Sequence, residues 1–163
     1  MDKFTGIILS QSKADKGFWY TISSTDGTHR FFSRKDVFSL FESCEVMLEK
    51  KNNCFFLADY STLDETPPLK SRPDNIIAAF WLSRLASSLT FSDMSEFEFI
   101  ERCRNAVGND FFAESLDEIE NSYLKVSGFN PGEEREKVIH DCFYSSMNLR
   151  KSLINQLASR RRK

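Results

Sequence analysis

Lys16–Phe32 reads KGFWYTISSTDGTHRFF. Two ring-rich runs, Phe18-Trp19-Tyr20 and Phe31-Phe32, flank an Asp26-Gly27 pair. Asp-Gly supplies the positive φ values that a tight hairpin turn demands, so the stretch is read as two antiparallel strands. Rings at this density on adjacent strands have two uses. They fill a barrel core with large members, or they form a face on which other rings stack.

Working outward, Phe4–Ser10, Gly17–Ser23, Thr28–Arg34, Cys44–Glu49 and Cys54–Asp59 are short apolar runs separated by polar breaks. Lys51-Asn52-Asn53 is a second turn signal, and the gap from Lys35 to Ser43 has room for a helical turn. Five short antiparallel strands in residues 1–61 predict a small closed β-barrel, because closure removes exposed strand edges. Residues 62–73 carry paired prolines at Pro67 and Pro68, which remove backbone donors and favour extended chain. They read as a linker or a strap.

From residue 74 to 163 the apolar period becomes helical, giving an α+β chain in two parts with an all-α second part of about four helices. Asp74–Leu89 carries Ile77, Phe80, Trp81, Leu82 and Leu85. Ser92 or Ser95 is a candidate cap for a second helix, ended by Gly108. Asn109 is a candidate cap for a third, closed by Gly128. Asn130-Pro131 has the form of a fourth start, followed by one long helix from Val138 through Leu157. Glu133, Glu134 and Glu136 suit the positive end of its dipole.

Composition narrows function. Of 163 residues, 40% are hydrophobic and 28% charged, with a net charge of -2. Strong nucleic-acid binders are usually basic, so any such role rests on a local patch. The one basic run is Arg160–Lys163. Cys44, Cys54, Cys103 and Cys142 lack paired-ligand spacing and His29 and His140 are the only histidines, so no metal or other cofactor is expected. The N-terminal apolar run is too short for a signal peptide and no segment approaches membrane-spanning length; a cytoplasmic protein with reduced thiols is the expectation. No motif sets out a nucleophile with its base, so the chain is expected not to be an enzyme.

The barrel half resembles a cold-shock domain. The likeness runs through Thr5-Gly6-Ile7, Ala14-Asp15-Lys16-Gly17-Phe18, Tyr20, the Asp26-Gly27 turn, Phe31-Phe32-Ser33 and Asp36-Val37. It covers little more than a third of the chain. Trp19 stands where that family has a second glycine, and Ser33-Arg34 where it has His-Phe; the second part resembles no family. The resemblance implies an OB-type barrel that binds single-stranded RNA or DNA by stacking. Alternate residues of a strand share a face, so Phe18 with Tyr20, and Phe31 with Ser33, form the implied platform. Lys13, Lys16, Arg30 and Lys35 lie nearby in sequence to meet phosphates.

The same alternation permits Phe18, Tyr20 and Ile22 to face inward, leaving Trp19 and Thr21 outside. In the second reading of function the barrel has lost nucleic-acid binding and the chain is a protein-interaction adaptor. The helical part then supplies a partner surface or a homo-oligomer contact, with its surplus of rings at Phe80, Trp81, Phe97, Phe99, Phe111 and Phe112.

Overall fold

The computed structural model of the protein describes residues 1–89, 94–129 and 134–161. Its first part is a closed barrel of five strands: β1 (Asp2–Ala14), β2 (Gly17–Ser24), β3 (Gly27–Ser33), β4 (Ser43–Lys51) and β5 (Cys54–Thr62). They close in the order β1-β2-β3-β5-β4, antiparallel throughout except for a short parallel contact between β3 and β5. Turn chemistry sets these joints. Gly27, at φ 132°, follows the two-residue loop of the β2–β3 hairpin, and Asn52 (φ 51°) with Asn53 (φ 63°) takes the left-handed conformations that join β4 to β5.

Gly17 is fixed by close approach. A Cβ there would lie 2.3 Å from the Ser33 carbonyl oxygen and 2.6 Å from the Phe32 ring. The glycine thus lets the Phe32 side chain lie across β2.

Inside the barrel lie Ile8, Tyr20, Ile22, Phe31, Phe38, Cys44, Val46 and Leu48. Burial pushes the Cys44 thiol up to about 12, which leaves it inert. Residues 34–42 form no helix. They cross the barrel end and are held there by the Tyr20 hydroxyl, which accepts from the backbone N–H of Val37 (3.1 Å) and Phe38 (3.4 Å). Tyr20→Phe strands both donors and should cost about 1–3 kcal/mol in denaturant unfolding. An unchanged midpoint and slope would show that water satisfies them instead.

The second part contains six α-helices among the described residues, not four: α1 (Pro68–Ser71), α2 (Ile76–Ser87), α3 (Met94–Val107), α4 (Ala113–Val126), α5 (Arg135–Cys142) and α6 (Met147–Arg161). Ser92, Asn130-Pro131, Glu133 and the final two basic residues lie outside the described residues; Ser95 already sits within α3. Asn109 does not cap α4, which starts four residues later. The Asn75 amide donates to the Val107 and Asn109 carbonyls and ties that corner down instead.

The long final helix is two. The Phe143 ring packs edge-on against both Trp81 and Tyr123, with centroids 5.4 and 5.5 Å away. Burying it turns the chain through a 3-10 segment at Tyr144–Ser146, so tertiary packing overrides an unbroken helical period.

Residues 62–73 are a pinned strap. Pro67 and Pro68 are buried, and the Asp64 carboxylate accepts the Ser43 N–H and pairs with Arg104 on α3. The two parts also share a core. Ile7, Leu9, Leu40 and Phe41, outside the barrel interior, pack with Trp81, Leu82 and Leu85 of α2. The register of β1 slips between Ile8 and Ser10, and the Leu9 carbonyl there accepts the Ser83 hydroxyl of α2.

One charged cluster is buried among the helices. Glu120 is 0% exposed and accepts from Trp81 Nε1 (3.0 Å) and from Arg150 Nε and Nη2 (both 2.7 Å). Arg150 also donates to Glu136 at 2.7 and 2.8 Å, and that bond holds the Glu136 carboxyl below the usual carboxylate range. A depressed folded value contributes stability that is complete above the unfolded pKa of about 4.3 and fades as pH falls through the lower folded one. Glu136 is largely exposed, so the contribution should stay under about 1 kcal/mol. The stability difference between wild type and Glu136→Gln should therefore shrink below that pH. A gap that persists undiminished into stronger acid would contradict the linkage.

Candidate nucleic-acid interface

The expected platform of Phe18, Tyr20 and Phe31 does not face solvent. Tyr20 and Phe31 are each 0% exposed and stack on one another inside the barrel, 5.5 Å between centroids. Phe18 is half-buried against the same core. The reason is strand parity: Ile22 shares their face on β2, and a small barrel fills its interior from that side. Ser33 is buried too. Its hydroxyl accepts from the Lys35 N–H (3.2 Å) and donates to the Lys35 carbonyl (2.8 Å), which shapes the turn leaving β3.

The opposite parity presents a different set of rings. Trp19 on β2 stands opposite Phe32 on β3, which stands opposite Phe56 on β5. The rings meet edge-to-face across three strands, with centroids 5.3 Å apart from Trp19 to Phe32 and 6.0 Å from Phe32 to Phe56. Phe56 is 37% exposed, and Trp19 and Phe32 are half-buried. Arg30 shares this face and holds its guanidinium 4.3 Å from the Trp19 ring centroid, a cation–π contact. Thus Arg30 joins the rings, whereas Lys13 and Lys16 are exposed where β1 turns into β2.

Beyond Phe32 and Phe56 the parallel ladder stops, and β3 and β5 part. The cleft between them encloses about 550 Å³, with Phe32 and Phe56 at its base, Arg34 and Lys35 on one bank and Asp59 and Tyr60 on the other. Lys51 also lines it, in a long ion pair with Glu49 at 3.7 Å. So a chain of net charge -2 still gathers Arg30, Arg34, Lys35 and Lys51 around one aromatic row.

Trp19, Phe32 and Phe56 were missed by weighing the two parities of β2 evenly. The signal was available on β3, where Arg30 and Arg34 share the parity of Phe32. Two arginines on one face mark it as solvent-side, which sends Phe31 inward. Phe56 belongs to β5, outside the stretch that carries the cold-shock likeness.

His29 on β3 stacks on Phe4 with centroids 3.8 Å apart, and burial lowers its pKa. Among the described residues no three His, Cys, Asp or Glu side chains converge as a metal site would require, and no helix is long and apolar enough to cross a membrane. No protein-family model matches the chain, and no curated protein matches it.

Proposed function

We propose that the protein binds single-stranded nucleic acid without catalysis, on the outer face of an OB-type barrel. The observation that carries this reading is the outward row of Trp19, Phe32 and Phe56 with cations on its flanks. Unpaired bases would stack along the row, and stacking accepts any base because all four have a π-face. Arg30 lies over the Trp19 ring, and Arg34, Lys35 and Lys51 would meet phosphates. The core that the helices share with the barrel takes in Ile7 and Leu9 of β1 and no residue of β2, β3 or β5.

Anisotropy titration of a labelled single-stranded 12-mer against salt tests the reading. Binding should weaken steeply with salt, and each phosphate-meeting cation replaced by alanine should reduce the log–log slope by about 0.7. A salt-independent affinity, or none, would refute it.

A second reading, a protein-interaction adaptor, is favoured by Ile76 and Phe80. They lie one turn apart on α2, 44% and 50% exposed, beside a cavity against the barrel. Selective capture of one partner, lost on Phe80→Asp, would support it.

A further inference from the structure

The cleft where β3 and β5 part has a property that stacking does not use. From Leu57 onward the edge of β5 that faces it has no strand partner. At Tyr60 the backbone N–H turns back to the Asp59 carboxylate, 2.9 Å away. Only one Asp59 oxygen is engaged in this way. The side chain is exposed, and no ion pair holds it among the described residues. Asp59 thus stands opposite Arg34 and Lys35 in a cleft whose other carboxylate, Glu49, is paired with Lys51.

An ionised carboxylate is an acceptor only. Near a phosphate chain it repels unless the occupant brings donors to it. Bases differ in this respect. Guanine presents an N1–H beside an amino group, and cytosine and adenine each present an amino group. Thymine and uracil offer one N–H between two carbonyls that a carboxylate repels. The cleft volume of about 550 Å³ lies in the range of small-ligand sites, and its base consists of Phe32 and Phe56 of the stacking row.

We propose that this cleft reads one base of the bound strand, and that Asp59 selects the amino-bearing bases guanine, cytosine and adenine over thymine or uracil. The inference rests on the nucleic-acid reading above and assigns its selectivity. A base stacked at Phe56 turns its hydrogen-bonding edge towards Asp59, while Arg34 and Lys35 hold the phosphates beside it.

The full chain is titrated by anisotropy with labelled thymidine 12-mers whose three central positions are thymine, guanine, cytosine or adenine. Guanine-, cytosine- and adenine-containing oligomers should bind at least about fivefold more tightly than all-thymine, the lower end of a base-specific contact. Asp59→Asn preserves shape and an acceptor for the Tyr60 N–H but adds donors. It should bind all-thymine more tightly than wild type and level the preference. Asp59→Ala, checked for an unchanged melting temperature, should level it too. Binding with equal affinity for all four oligomers, or a preference that survives both variants, overturns the assignment to Asp59 and leaves the stacking reading standing. No binding to any oligomer overturns both.

Discussion

Replacing Trp19 with alanine should weaken binding of a short single-stranded oligomer by roughly 5- to 150-fold, the equivalent of about 1–3 kcal/mol for one lost stacking partner. Phe56→Ala should fall in the same range, because both rings belong to the same outward row. Two further variants identify the face. Phe31→Leu shortens a ring that is fully buried, so it should lower stability while a folded sample keeps its affinity. Arg30→Gln keeps the surface polar but removes the charge over Trp19, so it should lower affinity and the salt slope together. The outward row would be excluded if Trp19→Ala and Phe56→Ala, both folded, bound as wild type does. It would be replaced by the inward set if Phe31→Leu alone lost affinity.

The largest effect on stability is expected at Glu120. Glu120→Ala leaves the Arg150 guanidinium, itself 6% exposed, with a single exposed carboxylate as partner and removes the acceptor of the Trp81 N–H. Breaking one side of a buried ion pair typically costs about 3–5 kcal/mol, because the survivor stays charged without compensation. In a domain of this length that lowers the melting temperature by roughly 6–20 °C. The double variant Glu120→Leu with Arg150→Met removes both charges and fills similar volume, so most of the loss should return. If the double variant were as unstable as the single one, the pair would itself be strongly stabilising rather than merely costly to split. Calorimetry on the three proteins distinguishes these outcomes.

How much of this was legible differs between the halves. The barrel could be read because its signals are local: Asp26-Gly27, Asn52-Asn53 and the short apolar runs each fix a joint or a strand. Which face of β2 looks outward was not decided by its rings, since Phe18, Trp19 and Tyr20 offer them on both sides. It depended on Ile22 and on the arginines of β3. The split between α5 and α6 was hidden for a different reason. Nothing around Phe143 breaks a helix; the break comes from Trp81 and Tyr123, 62 and 20 residues away in the chain. The partnership of Glu120 with Arg150 is equally non-local, and among so many charged residues no spacing distinguishes it.

The slip in β1 at Leu9 and the side chains around it join barrel and helices through one shared interior. The helical part is therefore a rigid mount and not a tethered accessory. Whatever grips those helices holds any strand lying across β2, β3 and β5 at a fixed angle. Larger assemblies built on this chain would inherit their geometry from that joint.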